Sequence, residues 1–490
     1  MPIPAESFFL VAGFNGTLQQ QIRTLVADGI RTGRFRPGEK LPSSRRLADY
    51  LGISRITVTL AYTELVAGDY LSSRGRSGYF VSADAPQPPK FDPSPEKRAD
   101  LVNWNKLTGA RFSSAPNLEK PADWQSYPYS FIYGQADASL FDHQNWRACA
   151  MMALGRKDFD ALSVDYYTRD DPLLIEYVVR TILPRRGITA RPEEVIVTMG
   201  AQNALWMAAE VLLRPGRMAV HENPCYPGLR VILQQNRCAR AFVNVDSDGL
   251  PTEDIPAGAD VVFTTASHQS PTNATMPMQR RRDFLRRARE EDFVIVEDDY
   301  EFEMSFLKPA SPALKSLDED GRVIYLGSFS KSLFPGLRLG YMVGAEPFIR
   351  EVRSLRASVM RHPPGLMQRT TAYFLALGHY DSLLGRMAQS YRKRRQTMAE
   401  AIAQHRLEVA GAAAFGGSSF WMKAPDHVDC GQLAAELRAK GVLIEPGEIF
   451  FDPTAAPRNY YRLAYSSCVQ SRIAEGIELI ASQIAQTGDI

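Results

Sequence analysis

Residues 37–82 read PGEKLPSSRRLADYLGISRITVTLAYTELVAGDYLSSRGRSGYFVS. Ser43 or Ser44 can cap a short helix that buries Leu47, Ala48 and Leu51. Gly52-Ile53-Ser54 then makes a tight turn. Ser54 caps a second helix whose inner face carries Val58, Ala61, Tyr62 and Leu65, at helical spacing. A short helix, a glycine turn and a second helix make a helix-turn-helix. Gly68-Asp69 stops the second helix, and the alternation in YLSS and GYFVS around Arg74-Gly75-Arg76-Ser77-Gly78 predicts a two-stranded wing.

Upstream, GTLQQQIRTLVADGI places Leu18, Ile22, Leu25, Val26 and Gly29 on one face of an amphipathic helix, which Gly33 and Pro37-Gly38 end. Residues 15–82 are thus expected to form a winged helix-turn-helix, mainly α with a β wing. The outward residues at the start of the second helix are Arg55, Ile56, Thr57 and Thr59. That part of such a helix points at base edges, and arginine can pair bidentately with guanine. Arg45, Arg46, Arg74 and Arg76 would surround it and meet phosphates. Residues 1–82 hold ten Lys or Arg against six Asp or Glu, so the net charge of +2 for the whole chain conceals a basic module. Solvated arginines on a small helical domain account for Arg34 or Arg46 taken singly, but not for the assembled pattern.

The whole chain has 490 residues, 45% hydrophobic and 23% charged, which is ordinary globular composition and too long for one core. Five scattered cysteines without a CxxC pair point to reduced thiols, with no disulfide frame and no metal site. No apolar run reaches membrane-spanning length and no signal pattern opens the chain, so a cytoplasmic protein without membrane attachment is expected. Residues 83–127 are rich in proline, charge and small polar side chains, and read as a semi-extended linker, with Trp104 and Trp124 either docked or free.

From 128 to 490, β-branched runs alternate with helical ones. EVIVTMG, RMAVHEN, VVFTTAS, FVIVEDD and RVIYLGS read as strands; AQNALWMAAEVLL and MQRRRDFLRRAREE read as helices. This predicts an α/β domain with a mainly parallel sheet, functional residues lying at strand ends. Gly200 and Ala201 open a helix after a strand and could admit an anion. FVIVEDDY ends a strand in acids, where a solvated loop is the plain alternative. Lys331 follows RVIYLG beside hydroxyls, placed to form a Schiff base if its amine is neutral, though a lone lysine is more often a surface residue. Arg462 in YYRLAYSS would snorkel or pair with a carboxylate.

Residues 37–71 and the RGRSGYFV wing resemble the DNA-binding domain of the GntR regulator family, and residues 128–490 resemble fold-type I aminotransferases. The combination most resembles the MocR subfamily, in which the two are fused. The first resemblance implies that Arg45, Ser54, Arg55, Thr57 and the wing-tip Gly75-Arg76 touch an operator in double-stranded DNA; Thr59 stands where some members have arginine. The second implies pyridoxal 5'-phosphate on Lys331. Ser328 and Arg338 match phosphate ligands, and Ala201 and Gln202 the phosphate-cradling turn. Asp298 matches the pyridinium partner, with Asp299 its rival; Tyr300 matches the phenol on the ring oxygen, and Tyr226 the stacking aromatic. Arg462 matches the arginine that grips an amino acid's carboxylate, and Tyr166 or Tyr167 the residue given to the partner subunit's phosphate site.

Two departures weigh against full transamination: Ser270 stands where many aminotransferases have asparagine, and YYTRDDPLLIEY lacks the glycine and arginine at their usual places. The resemblance therefore implies a homodimeric, PLP-dependent transcription regulator that senses an amine or amino-acid-like effector by aldimine exchange on Lys331. Taurine, γ-aminobutyrate, ectoine derivatives or the cofactor itself would suit the subfamily. The alternatives are an active aminotransferase with an accessory DNA module, and a GntR-type regulator whose large domain binds a ligand without PLP.

Overall fold

A computed structural model describes residues 2–86, 102–109, 120–134, 137–164, 169–411, 415–454 and 456–487, all with side chains except Arg76. The chain divides into two compact units, Met1–Gly109 and Ala110–Ile490. The stretch read as a linker is therefore shared between them. It is not wholly without structure: Trp104–Thr108 is a short helix capped by Asn103, and Trp124–Ser126 a 3-10 turn.

The first unit has three helices, α1 (Leu18–Arg31), α2 (Ser44–Leu51) and α3 (Arg55–Ala67), and a hairpin of β1 (Leu71–Ser73) and β2 (Tyr79–Val81). Its helix starts follow from the sequence. Thr17 and Gln20 form a capping box, Ser43 accepts from Arg46 N at 3.2 Å, and Ser54 accepts from Ile56 N at 3.3 Å. Gly52 ends α2 in the left-handed region. Ile22, Val26 and Ile30 of α1 are buried with Val58, Ala61, Tyr62 and Leu65 of α3, each large side chain contributing about 1.5–3 kcal/mol by its burial. The buried Tyr62 phenol donates to Pro42 O at 3.1 Å, so its hydroxyl is not stranded. The N-terminal residues add a piece the helical pattern does not announce: Phe8 packs against Phe35, and Ile3 N donates to Lys40 O at 2.7 Å.

The second unit is built on a seven-stranded sheet in the order Val195–Thr198, Gly340–Val343, Val323–Ser328, Val294–Asp298, Val261–Thr264, Met218–Asn223, Ala239–Asn244. The five expected strands are all present and pair as an α/β fold requires. Gly340–Val343 runs antiparallel to both its neighbours, which makes the sheet mixed; the remaining pairs are parallel. The central strands are buried on both faces, which is why they read as continuous β-branched runs. A smaller antiparallel sheet near the C-terminus orders Glu408–Val409, Ser419–Lys423, Tyr460–Ala464 and Glu445–Pro446, and its register sets Arg462 opposite both Trp421 and Glu445. Tyr129–Ser130 pairs in parallel with Val442–Leu443 and leads the chain to Tyr133-Gly134. Among the described residues no helix is long and apolar enough to cross a membrane.

Candidate functional site

In the first unit, α3 presents its opening turn outward. Ser54 and Arg55 are exposed, Thr57 is half-buried, and Ile56 is 70% exposed, unusual for isoleucine. The Thr59 hydroxyl donates to Arg55 O at 2.9 Å and is thereby spent inside the helix. Arg45 is exposed on α2. Gly75 lies exposed in the wing turn, and the Arg74 guanidinium stacks 4.6 Å from the Phe80 ring centroid, which stiffens the wing. The side chain of Arg76 lies outside the described residues.

In the second unit, the sequence-predicted residues converge on one edge of the large sheet, beyond the carboxyl ends of its parallel strands. Asp298 closes Val294–Asp298, Ser328 closes Val323–Ser328, and Lys331 follows three residues later. Lys331 Nζ lies 3.9 Å from the Tyr133 ring centroid, and burial lowers its pKa to about 7, with the charges of Lys120 and Arg462 adding to the shift and Glu301 and Glu445 opposing it. An amine so placed is half neutral near pH 7 and competent as a nucleophile. Gly134, at φ +79°, makes room for it: a Cβ there would lie 2.6 Å from Lys331 Nζ.

The two rival acids are separated by their bonds. Asp299 Oδ2 accepts from Arg186 Nε at 2.7 Å and from the Tyr325 hydroxyl at 2.9 Å, in a fully buried network. Asp298 has a buried oxygen, Oδ1, without a hydrogen-bond partner among the described residues. Burial raises its pKa to about 7, helped by Asp299 and Glu222 and resisted by Lys331. A group carrying a ring N–H would relieve that orphaned acid.

A cradle lies near Gly200, the N-cap of the helix Ala201–Leu212, at φ +84°. A Cβ there would sit 3.6 Å from Arg338 Nη2 and 3.7 Å from Ser330 Oγ. Ser328 Oγ accepts from Ser330 N at 3.2 Å. The Tyr226 hydroxyl donates to Gln202 Oε1 at 3.3 Å, and burial raises the Tyr226 pKa. Helix N–H groups, hydroxyls and an exposed guanidinium suit a phosphate. Tyr300 is half-buried, and burial holds its phenol protonated. Tyr166 and Tyr167 lie outside the described residues. The donor set therefore fits pyridoxal phosphate: an anion cradle, an orphaned acid, an aromatic and a lysine of depressed pKa.

Arg462 is not free to act as a bare carboxylate grip. Its Nε donates to Glu445 Oε2 at 2.8 Å, both side chains are buried, and its guanidinium also lies 4.0 Å from the Tyr133 ring centroid. Several residues of the pocket escaped the sequence reading. Tyr133 donates its hydroxyl to Glu301 Oε2 at 2.9 Å. Lys120, from the stretch read as linker, donates to Tyr133 O and lies 3.7 Å from Glu445 Oε1. A narrow cleft is lined by Lys331, Gly134, Glu301, Ser330, Tyr391 and Ser466. Only Glu445, an acid inside the short apolar run LIEP, left a local signal.

Residues 165–480 match the family described as aminotransferase class I and II, and residues 18–81 match the bacterial regulatory proteins of the gntR family. The chain is 58% identical to the HTH-type transcriptional regulator TauR of Rhodobacter capsulatus, over 98% of this chain and 99% of that one. It is 29% identical to the HTH-type pyridoxine biosynthesis transcriptional regulator PdxR of Corynebacterium glutamicum, over 79% and 78% of the two chains. Among solved structures it is similar to the alpha-aminoadipate aminotransferase LysN of Thermus thermophilus, complexed with N-(5'-phosphopyridoxyl)-L-leucine, at TM-score 0.71 and 25% identity over 79% of this chain and all of that one. The kynurenine aminotransferase of Pyrococcus horikoshii, solved with PMP, gives TM-score 0.68 and 26% identity over 80% and 95%.

Proposed function

The chain belongs to the MocR-type GntR-family regulators, helix-turn-helix proteins with an aminotransferase class I and II domain, and on that footing we propose that it couples an amine effector, received at Lys331, to operator binding. It is a transcription regulator; the proposal concerns how its large domain serves that role. The observation that carries it is the presence at neighbouring strand ends of Lys331, an amine with pKa near 7, and Asp298, a buried acid whose Oδ1 has no hydrogen-bond partner among the described residues.

Pyridoxal phosphate, when bound, supplies an aldehyde carbon that exchanges one primary amine for another. Each residue then has a defined task. Lys331, beside the Tyr133 ring, would offer a neutral amine to that carbon. Asp298 gives its carboxylate to the ring N–H, Tyr300 its phenol to the ring oxygen, and Tyr226 its face to the ring. Ala201, Gln202, Ser328 and Arg338 take the phosphate. Arg462 receives the effector's acid group through the nitrogens that Glu445 leaves unused.

On the DNA side, Arg55 and Thr57 read base edges from the start of α3, while Arg45, Ser54, Gly75 and Arg76 contact phosphates. A homodimer would pair two such readers on two half-sites. Supporting it, Met151, Met152, Leu154, Phe159 and Val164 are all exposed within one short stretch. An effector can shift the DNA-binding state only through contacts that differ between states.

The test uses a duplex selected from a random pool by the cofactor-loaded protein. Primary amines are titrated while the cofactor spectrum and duplex affinity are both recorded. Concerted change in the two signals is expected. Sustained keto-acid production without any change in DNA affinity would favour an aminotransferase instead.

A further inference from the structure

Lys120 has no role in the scheme above, yet its ammonium group sits in the pocket. A Cβ at Gly134 would lie 3.8 Å from Lys120 Nζ and 2.6 Å from Lys331 Nζ, so the two lysines share one wall. Lys120 Nζ also donates to Tyr133 O, the carbonyl of the residue whose ring Lys331 and Arg462 both face. Glu445 stands between the cations: Oε2 holds Arg462 Nε at 2.8 Å, and Oε1 lies 3.7 Å from Lys120 Nζ. That Oε1 is buried and makes no hydrogen bond among the described residues.

The arrangement poses an electrostatic problem. Arg462 and Glu445 form a buried neutral pair, so an acid group arriving at Arg462 meets a cation already matched and a carboxylate that repels it. Lys120 restores one positive charge to the cluster. Its side chain is about one quarter exposed and can keep its bond to Tyr133 O while an incoming anion takes the place of Glu445 Oε1, 3.7 Å away, whereas Arg462 Nε is held by Glu445 Oε2 at 2.8 Å. Burial lowers the Lys120 pKa, with Glu445 opposing that shift and Arg462 adding to it.

We propose that Lys120 is a second acid-binding residue, which with Arg462 receives the carboxylate or sulfonate of an amino-acid effector whose amine is presented to Lys331. Glu445 acts as the positioning residue that holds both cations. This rests on the amine-sensing reading and assigns the acid end of the same ligand.

Cofactor-loaded protein is titrated with β-alanine, its sulfonate analogue 2-aminoethanesulfonate, and propylamine, following the cofactor absorbance at equal cofactor loading. Lys120→Met should weaken both acids roughly tenfold to a hundredfold, selectively over propylamine, as the loss of a charge-assisted hydrogen bond requires. Lys120→Arg should retain most of the affinity. Adding Glu445→Gln to Lys120→Met should recover much of the loss, because removing the anion unmasks Arg462. A second reading needs no cofactor: propionate or ethanesulfonate should raise the melting temperature of the cofactor-free wild type more than that of Lys120→Met. Acids that bind Lys120→Met as they bind wild type, while amines still change the spectrum, would overturn the inference and leave amine sensing standing. A wild-type spectrum that no amine perturbs would overturn both.

Discussion

Asp299 Oδ2 accepts from Arg186 Nε at 2.7 Å, while its neighbour Asp298 leaves Oδ1 buried and unbonded among the described residues. Consecutive residues on one strand end thus have different work. Asp299 keeps one bare oxygen too, but its other oxygen anchors a network of Arg186, Tyr325 and Ser267. Asp299→Asn breaks a buried ion pair and should cost about 3–5 kcal/mol in urea unfolding.

Asp298→Asn should do the reverse. With its pKa raised to about 7, Asp298 stabilises the cofactor-free fold only while protonated; that contribution is full below the usual carboxylate range and is lost as pH rises through about 7. Above pH 7, cofactor-free Asp298→Asn should therefore be more stable than wild type, by about 1–3 kcal/mol, yet hold pyridoxal phosphate more weakly. Unfolding curves at pH 5 and pH 8, with a cofactor titration, check both parts; equal stability at both pH values would count against the assignment.

The depressed pKa of Lys331 sets a rate. Its neutral form gains population as pH rises through about 7, well below the range of an ordinary lysine. The rate of cofactor capture should rise between pH 6 and 8 and then level off, as followed by stopped-flow absorbance. A rate still climbing tenfold per unit above pH 9 would mean the amine is an ordinary one.

The exposed start of α3 and the wing turn make two different losses measurable. Arg55→Ala should cost about 1–3 kcal/mol on the selected duplex, concentrated at one base position of each half-site. Arg76→Ala should weaken all sequences alike and flatten the salt dependence. Binding competitions against single-base variants at two salt concentrations separate these patterns from a reversed orientation of the helix.

The strands and the helix-turn-helix were legible because burial imposes local patterns: β-branched runs for strands covered on both faces, and capping serines followed by apolar spacing for α2 and α3. Gly340–Val343 left no strand signal, since four residues carry little period of their own. Ala239–Asn244 lies at the sheet edge, mostly exposed, so its side chains were never selected for a continuous apolar run. Lys331 and Asp298 stood out by lying at strand ends. Lys120 and Tyr133 did not, because they lie 13 residues apart in a stretch without period and meet Glu445 only through tertiary contacts, more than three hundred residues further along the chain.

Borohydride reduction of the cofactor-loaded protein, followed by proteolysis and mass spectrometry, tests the assignment of the reactive amine most directly, since Lys120 and Lys331 share the pocket wall. The cofactor mass is expected on the peptide containing Lys331, and Lys331→Ala should lose it together with the visible band. Cofactor found on Lys120, or a reducible band that survives in Lys331→Ala, would contradict the assignment.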